Sequence, residues 1–249
     1  VDQPGADYLV LLSSMEIVNY PEYIEALAKI FHKAGLTFTV SSDAFEATNA
    51  GIQIGVSDLA RTIVTRIVEA AERLQVKHVL SPECGHAYMA IRWEGPNLIG
   101  RPFRFEVVHV LELLDELRRK GVLKMKDTFK DPLILHDPCQ IVRRGGVLDA
   151  PEQLIRQVAD NYIPVVDQQK WNWCCGGGGG ASAIHTEEAE ALRAKAFQVK
   201  KRQIESAGVD TMVTFCANCR IVIEEAFDHY QMDTKLLGLT ELLAEHLED

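Results

Sequence analysis

The 249-residue sequence has no run of about 18–20 consecutive apolar residues, which is the length that a membrane-spanning helix needs. The given residues show no basic segment followed by an apolar one at their start, so we expect no secretory leader. We therefore expect a cytoplasmic protein, which reaches the inner face of the cell membrane through its partners and not through a segment of its own.

The chain has fewer basic than acidic residues. The chain has 26 Lys and Arg residues against 36 Asp and Glu, a formal net charge of −10 at pH 7. Proteins that bind phosphate backbones usually present a basic face, so we expect no nucleic-acid partner. The remaining composition, 47% hydrophobic and 25% charged, is that of an ordinary globular protein.

A run of five glycines at 176–180 lacks the residues that a nucleotide-binding loop requires. A phosphate-binding loop continues with Lys and then Ser or Thr, whereas Ala181, Ser182 and Ala183 follow here. A linker is also disfavoured, because the run lies between a predicted strand and a predicted helix. The glycines need another explanation.

Cysteine is scarce, and its placement matters more than its number. A chain of this size can bury a core without disulfides, so metal binding or redox chemistry is the favoured use of its thiols. The compact C-x₂-C-x₂-C-x₃-C-P run of many cubane iron–sulfur proteins is absent. The six cysteines are Cys84, Cys139, Cys174, Cys175, Cys216 and Cys219.

Short apolar runs alternate with amphipathic stretches along the chain, a pattern typical of an α/β fold with mainly parallel sheets. The predicted strands are 7–14, 36–42, 77–82, 132–138, 161–168 and 210–215. The predicted helices are 21–35, 56–74, 104–121, 151–161, 186–208 and 239–249.

The second half of the chain reads as a copy of the first. Three pairs of segments align: 9–15 with 133–139, 49–51 with 174–176, and 81–84 with 216–219. We expect two pseudo-equivalent α/β units, a degenerate one at 1–125 and one at 126–249 that carries five cysteines. In the first unit only Cys84 retains a thiol, opposite Cys219.

The five cysteines of the second half each follow a predicted strand. Carboxyl ends of parallel strands meet at one sheet edge, so these thiols are expected to converge there. Structural zinc takes four ligands. Adjacent side chains diverge on a regular strand, so Cys174 and Cys175 reach a common metal at a sharp loop or by holding different atoms of a larger cluster. Gly176 and Gly177 would let the backbone approach that group closely.

The pattern Cys139, Cys174-Cys175-Gly176, Cys216-x-x-Cys219 resembles the CCG, or cysteine-rich, domain of the heterodisulfide reductase B and D subunits. The resemblance covers the whole chain as a tandem pair with a degenerate first copy. DsrK-like members are the most similar, on HDPCQIVRRGG, WNWCCGGGGG and SPECGHAY. The resemblance implies a non-cubane [4Fe-4S] cluster whose ligands are Cys139, Cys174, Cys175, Cys216 and Cys219.

The same resemblance implies an oxidoreductase that reduces or forms an S–S bond, in a heterodisulfide or in the disulfide or trisulfide of a DsrC-type sulfur carrier. It also implies two further partners: a ferredoxin-like iron–sulfur domain or subunit, whose C-x₂-C-x₂-C motifs this chain lacks, and a membrane quinone-interacting subunit. Two alternatives stay open: a zinc-bearing docking module, and a subunit that oxidises a hydroxy acid or glycerol phosphate.

Two residues are candidates for catalysis. His136 would give a proton to a departing thiolate, and Cys84 would meet substrate sulfur across the pseudo-twofold axis. The alternatives are structural: His136 hydrogen-bonds its own loop, and Cys84 is a small buried residue left from a lost site.

Overall fold

The computed structural model describes residues 1–248, which form two sheets of parallel strands covered by helices. The first sheet has the order β2-β1-β3-β4, and the second has the order β5-β6-β7. The strands are β1 (Tyr8–Val10), β2 (Phe38–Thr39), β3 (His78–Ser81), β4 (Glu106–His109), β5 (Ile134–Leu135), β6 (Thr211–Thr214) and β7 (Lys235–Gly238). The predicted α/β class with mainly parallel sheets is therefore confirmed.

Eleven α-helices connect and cover the strands of residues 1–248. They are α1 (Ser14–Asn19), α2 (Pro21–Ala34), α3 (Ala50–Ile54), α4 (Ser57–Arg73), α5 (Gly85–Tyr88), α6 (Gly95–Ile99), α7 (Val110–Arg119), α8 (Ala150–Val158), α9 (Glu187–Ala207), α10 (Ala217–Tyr230) and α11 (Leu239–His246). Two π-helical turns, Met89–Glu94 and Gln140–Arg144, follow the first helix after β3 and the loop after β5. None of these helices is both long and apolar enough to cross a membrane.

The two units share one strand order. A parallel bridge joins Leu133 to Tyr162 on the side of β5 that faces away from β6. The segment around Tyr162 thus takes the place beside β5 that β2 takes beside β1. The units also pack on each other, since α11 lies against α2. Their exact division after residue 125 stays a prediction.

The predicted helix at 104–121 is wrong at its start. Residues Glu106–His109 form β4, which pairs with β3, and α7 begins only at Val110. A capping box explains the switch: Nδ1 of His109 accepts from the Leu111 N–H at 3.2 Å, and Glu112 accepts from the His109 N–H at 2.8 Å. The apolar residues of β4 continue the helical spacing of α7, so the pattern predicted a single helix. The β-branched residues of β4 are nevertheless typical of a strand.

Two strands differ from prediction as well. The expected strand at 161–168 is reduced to the Tyr162 bridge, and Pro164, two residues later, has no N–H for a ladder. In contrast, β7 was not predicted, because its four residues run directly into α11. Short strands next to helices carry little periodicity of their own.

The long helix α9 shows how the local sequence sets an element. The Thr186 hydroxyl caps it by accepting from the Ala189 N–H at 3.3 Å, and acidic residues occupy its first turn. It ends at Gly208, which adopts the left-handed conformation that glycine favours (φ 63°). Its buried side chains include Phe197, Lys200 and Ile204, so one face of this otherwise polar helix packs on the second unit.

Candidate metal centre

Five cysteines meet beyond the ends of β5 and β6. Cys139 follows β5 and precedes the π-helical turn, while Cys216 is the N-cap of α10 and Cys219 lies in its first turn. Cys174 and Cys175 come from the loop that leads towards α9. All five line one cavity, together with Gly85, His86, Pro138, Gln140, Gly178 and Asn218.

The sulfur atoms lie close together without forming disulfides. The Sγ atoms of Cys139 and Cys174 are 3.8 Å apart, and those of Cys175 and Cys219 are 3.3 Å apart. All six cysteines of the chain are free. Cys139 and Cys174 are partly exposed, whereas Cys175, Cys216 and Cys219 are buried. The exposed pair therefore marks the side from which a molecule reaches the site.

Hydrogen bonds favour thiolates at two of these positions. Cys174 accepts from the Cys139 thiol and from the Gly176 N–H at 3.3 Å, and with the neighbouring Cys175 thiol these groups hold its pKa far below the usual range. The pKa of Cys216 is lowered to about 7. The largest cause is the Cys219 thiol, and backbone N–H groups, that of Gly85 among them, act in the same direction. Thiolate is the form that binds metal, so the protein environment favours the ligand state at Cys174 and Cys216, whereas the pKa values of the other three cysteines are raised.

His136 lies behind the sulfur atoms. A ring nitrogen of His136 and the Sγ atoms of Cys175 and Cys219 all lie within 4.8 Å of one another. The ring has no exposed surface, it is not among the residues that line the cavity, and neither nitrogen has a hydrogen-bond partner within residues 1–248. Burial lowers the pKa of this imidazole well below its ordinary value. The predicted proton-donor role is untested, and this placement puts the ring on the inner side of the site.

The glycine loop is held tightly against two helices. A Cβ on Gly177 would lie 2.4 Å from Cγ2 of Val222 in α10, and one on Gly176 would lie 3.1 Å from Cβ of Ala196 in α9. Gly176 also has a φ of 99°, which side chains disfavour. Gly178, and not Gly176 or Gly177, lines the cavity. The first two glycines therefore position the loop, and Gly176 adds an N–H to Cys174.

The first unit supplies one wall of the cavity through Gly85 and His86. Nε2 of His86 accepts from the Gly179 N–H at 3.1 Å, so this histidine connects the two units at the site. The alignment of 81–84 with 216–219 pointed to this loop, in which Cys84 was the predicted site residue. No signal in the sequence singled out Gly85.

Cys84 occupies a different place from the five. It is 3% exposed, and its Sγ lies 3.9 Å from Oγ1 of Thr48 in the first unit. Burial raises the pKa of its thiol to about 12. Cys84 is not among the residues that line the cavity, so the structure does not bring it to the opening where a substrate would enter.

The donor set fits an iron–sulfur group. Five sulfur atoms exceed the four ligands of a structural zinc ion, and they come from three separate loops around one cavity. The two ring nitrogens of His136 behind them also lack a partner, and a neutral imidazole has one N–H to donate. Cysteine thiolates are the ligands that iron–sulfur clusters use.

Comparison with known proteins agrees with this chemistry. Residues 133–224 match the CCG family, described as a cysteine-rich domain. The matched segment lies within the second unit. It contains all five cysteines of the cavity, which confirms the resemblance drawn from their spacing.

The chain is homologous to components of heterodisulfide reductase-type complexes. It is 27% identical to one component of the dihydromethanophenazine:CoB–CoM heterodisulfide reductase of Methanosarcina mazei, over 89% of this chain and 54% of that protein. It is 25% identical to an Hdr-like menaquinol oxidoreductase iron–sulfur subunit of Archaeoglobus profundus, over 99% of this chain and 52% of that protein. The chain thus spans about half the length of these curated relatives, and the finer likeness to DsrK stays a prediction.

The fold also has a counterpart among solved structures. A hypothetical protein from Helicobacter pylori superposes with a TM-score of 0.69 at 11% identity, over 100% of this chain and 51% of that one. At this identity the likeness concerns the fold alone.

Proposed function

We propose that Cys139, Cys174, Cys175, Cys216 and Cys219 hold a non-cubane [4Fe-4S] cluster at which this oxidoreductase reduces or forms an S–S bond. The observation that carries the proposal is the convergence of five free cysteine sulfurs on one cavity. The family of the second unit and the iron–sulfur relatives support the same cofactor class.

When bound, such a cluster supplies iron that binds sulfur and exchanges electrons one at a time. Reduction of a disulfide breaks one S–S bond, consumes two electrons and two protons, and yields two thiols. We propose that the electrons come from a ferredoxin-like iron–sulfur domain or subunit. In the opposite direction, two thiols would give up the same electrons and protons.

The chain's own residues would admit and orient the substrate. Partial exposure of Cys139 and Cys174 leaves this side of the cavity open, while Cys175, Cys216 and Cys219 are shielded. His86 lines the cavity and is tied to the glycine loop through the Gly179 N–H, so it would border the entering sulfur. His136 is left out of this step because its ring neither lines the cavity nor has exposed surface.

We further propose that the substrate is the disulfide or trisulfide of a small DsrC-type sulfur carrier, or a heterodisulfide. A membrane quinone-interacting subunit would be the other redox partner, with this chain on the cytoplasmic side. The names of two relatives, one from a heterodisulfide reductase and one from a menaquinol oxidoreductase, support a sulfur substrate and a quinone-linked partner.

The first test is the metal content and spectrum of an oxygen-free preparation. We expect about four iron and four sulfide per chain and an EPR signal that changes when a carrier disulfide is added. Turnover should then occur with the carrier disulfide and not with lactate, glycolate or glycerol phosphate. One zinc per chain, no iron and unchanged partner binding would contradict the proposal.

The second candidate is a zinc-bearing docking module. The specific observation in its favour is the group of His136, Cys175 and Cys219, whose ligand atoms lie within 4.8 Å of one another. Two thiolates and an imidazole are common zinc ligands. The same metal analysis decides between the two candidates.

A further inference from the structure

Two buried nitrogen-bearing side chains lie on the inner side of the sulfur site and have no assigned role. His136 is 0% exposed and Lys200 is 1% exposed. The two ring nitrogens of His136 and the Nζ of Lys200 have no hydrogen-bond partner in the described part of the chain. Buried polar groups nearly always have a hydrogen-bond partner, so these unpartnered nitrogens require an explanation.

Lys200 belongs to the buried face of α9, together with Phe197 and Ile204. This helix packs against the cysteine loop, because a Cβ on Gly176 would touch Ala196. Lys200 is close enough to Cys175, Cys219 and His136 to influence them electrostatically. It therefore lies behind the loop, on the side away from the opening.

The nearby acid does not satisfy Lys200. Asp137 is buried and within electrostatic reach, but its Oδ2 accepts from the Gln169 N–H at 2.6 Å and Nζ of Lys200 makes no hydrogen bond to it. Burial lowers the pKa of Lys200, against the opposing effect of Asp137 and the two cysteines. A buried ammonium group without a bonded partner costs several kcal/mol, on the order of what a single buried ion loses in solvation.

We propose that His136 and Lys200 form a buried polar floor beneath the metal centre, which stabilises the more negative, reduced state of the group that the cysteines hold. The cost of burying these donors is offset when negative charge is present above them, which is the condition that a thiolate-ligated cluster creates. The inference rests on the proposed function, because it concerns the same five cysteines.

The floor acts through the cluster and not on the substrate. Neither His136 nor Lys200 lines the cavity, so both are positioning residues. Hydrogen bonds to cluster sulfurs and net charge near the cluster are among the factors that set its reduction potential. The buried His136 would thus stabilise the reduced cluster, in place of transferring a proton to a departing thiolate.

The decisive measurement is a redox titration of the reconstituted protein, followed by EPR. Lys200→Met removes the charge at similar volume, and we expect a lower reduction potential with full iron content. At fixed potential the reduced-to-oxidised ratio should fall roughly tenfold, which is about 59 mV for one electron. The control is Lys195→Met, at an exposed position of the same helix, which should leave the potential unchanged.

His136 gives an independent arm. We expect His136→Leu to lower the potential and His136→Gln, which keeps an N–H donor, to restore part of the shift. Urea unfolding of metal-free protein adds a second readout for Lys200: Lys200→Met should stabilise it, because an unpaired buried cation is replaced by an apolar chain. This readout applies even if a variant takes up little iron.

The outcomes separate this inference from the proposed function. A wild-type preparation without iron would overturn the cluster itself. Normal iron content with the same potential in wild type, Lys200→Met and His136→Leu would overturn the polar floor and leave the proposed function standing. An equal shift with Lys195→Met would also overturn it, because the effect would then be one of overall charge.

Discussion

At the level of single residues, the six cysteines divide by what their sulfur atoms face. Five face one cavity, and Cys84 faces Thr48 in the first unit. Spacing alone predicted the group of five, since each follows a strand end. It did not predict where Cys84 points, because the alignment with Cys219 concerns the backbone and not the direction of a side chain.

This division predicts a difference in iron content between matched variants. Cys175→Ser should lose most of the iron, since it removes a buried sulfur 3.3 Å from that of Cys219. Cys84→Ser should keep the wild-type iron content, because its sulfur lies outside the cavity lining. Iron and sulfide analysis of oxygen-free samples is the measurement. Loss of iron in Cys84→Ser would show that the sixth sulfur belongs to the site.

A second residue-scale prediction concerns pH. Burial of His109 lowers the pKa of its imidazole from 6.5 to about 3. The unfolded chain therefore binds more protons below pH 6.5, so this residue's contribution to stability is present above pH 6.5 and is lost as pH falls towards 3. Between pH 7.5 and 5.5 the loss should be about 1–1.5 kcal/mol.

Urea unfolding of the metal-free protein at these two pH values measures the loss. His109→Asn keeps a side chain suited to the helix N-cap but removes the titrating group, so it should show the smaller pH dependence. His185→Asn, at an exposed position, controls for the substitution itself. Identical pH dependence in wild type and His109→Asn would contradict the assignment.

At the level of elements, the glycine loop depends on its packing against α9 and α10. Gly177→Ala would place a Cβ 2.4 Å from Val222, where the helix has to move, and we expect a loss of about 1–3 kcal/mol in the free energy of unfolding. Gly178→Ala is the matched control, since its Cβ would meet only Cε1 of His86 at 3.8 Å. Denaturant unfolding of both variants tests the contrast; equal stability would contradict it.

The elements also show how far sequence reasoning extends. Long amphipathic helices such as α4 and α9 were predicted nearly to their ends, because periodicity and caps act locally. The strand β4 was absorbed into a predicted helix, and β7 was missed, because a strand of four residues is defined by its partner strand. The glycines were correctly linked to the cysteine loop, but their contacts with α9 and α10 depend on tertiary packing.

At the scale of the whole molecule, the site belongs to both units. The Gly85 N–H of the first unit lowers the pKa of Cys216 in the second, and Nε2 of His86 accepts from the Gly179 N–H. The first unit thus supplies one wall of the site. Sequence comparison within the chain predicted the repeat, but not that the first unit contacts the second through the loop that holds Gly85 and His86.

A close approach between the two units gives the last prediction. A Cβ on Gly85 would lie 2.6 Å from Cβ of Gln140 and 3.2 Å from the backbone N of Ile141, so Gly85→Ala should push α5 away from the cysteine side. We expect lower iron retention, because the N–H to Cys216 moves with α5, and a stability loss of about 1–3 kcal/mol.

Adding Gln140→Gly to Gly85→Ala tests whether this contact is the cause. Removing the Gln140 side chain relieves the closest overlap, so the double variant should be more stable than the sum of the two single effects predicts. Additive losses would mean that Gly85→Ala acts within its own unit. A favourable coupling energy together with recovered iron would tie the contact between the units to the integrity of the metal centre.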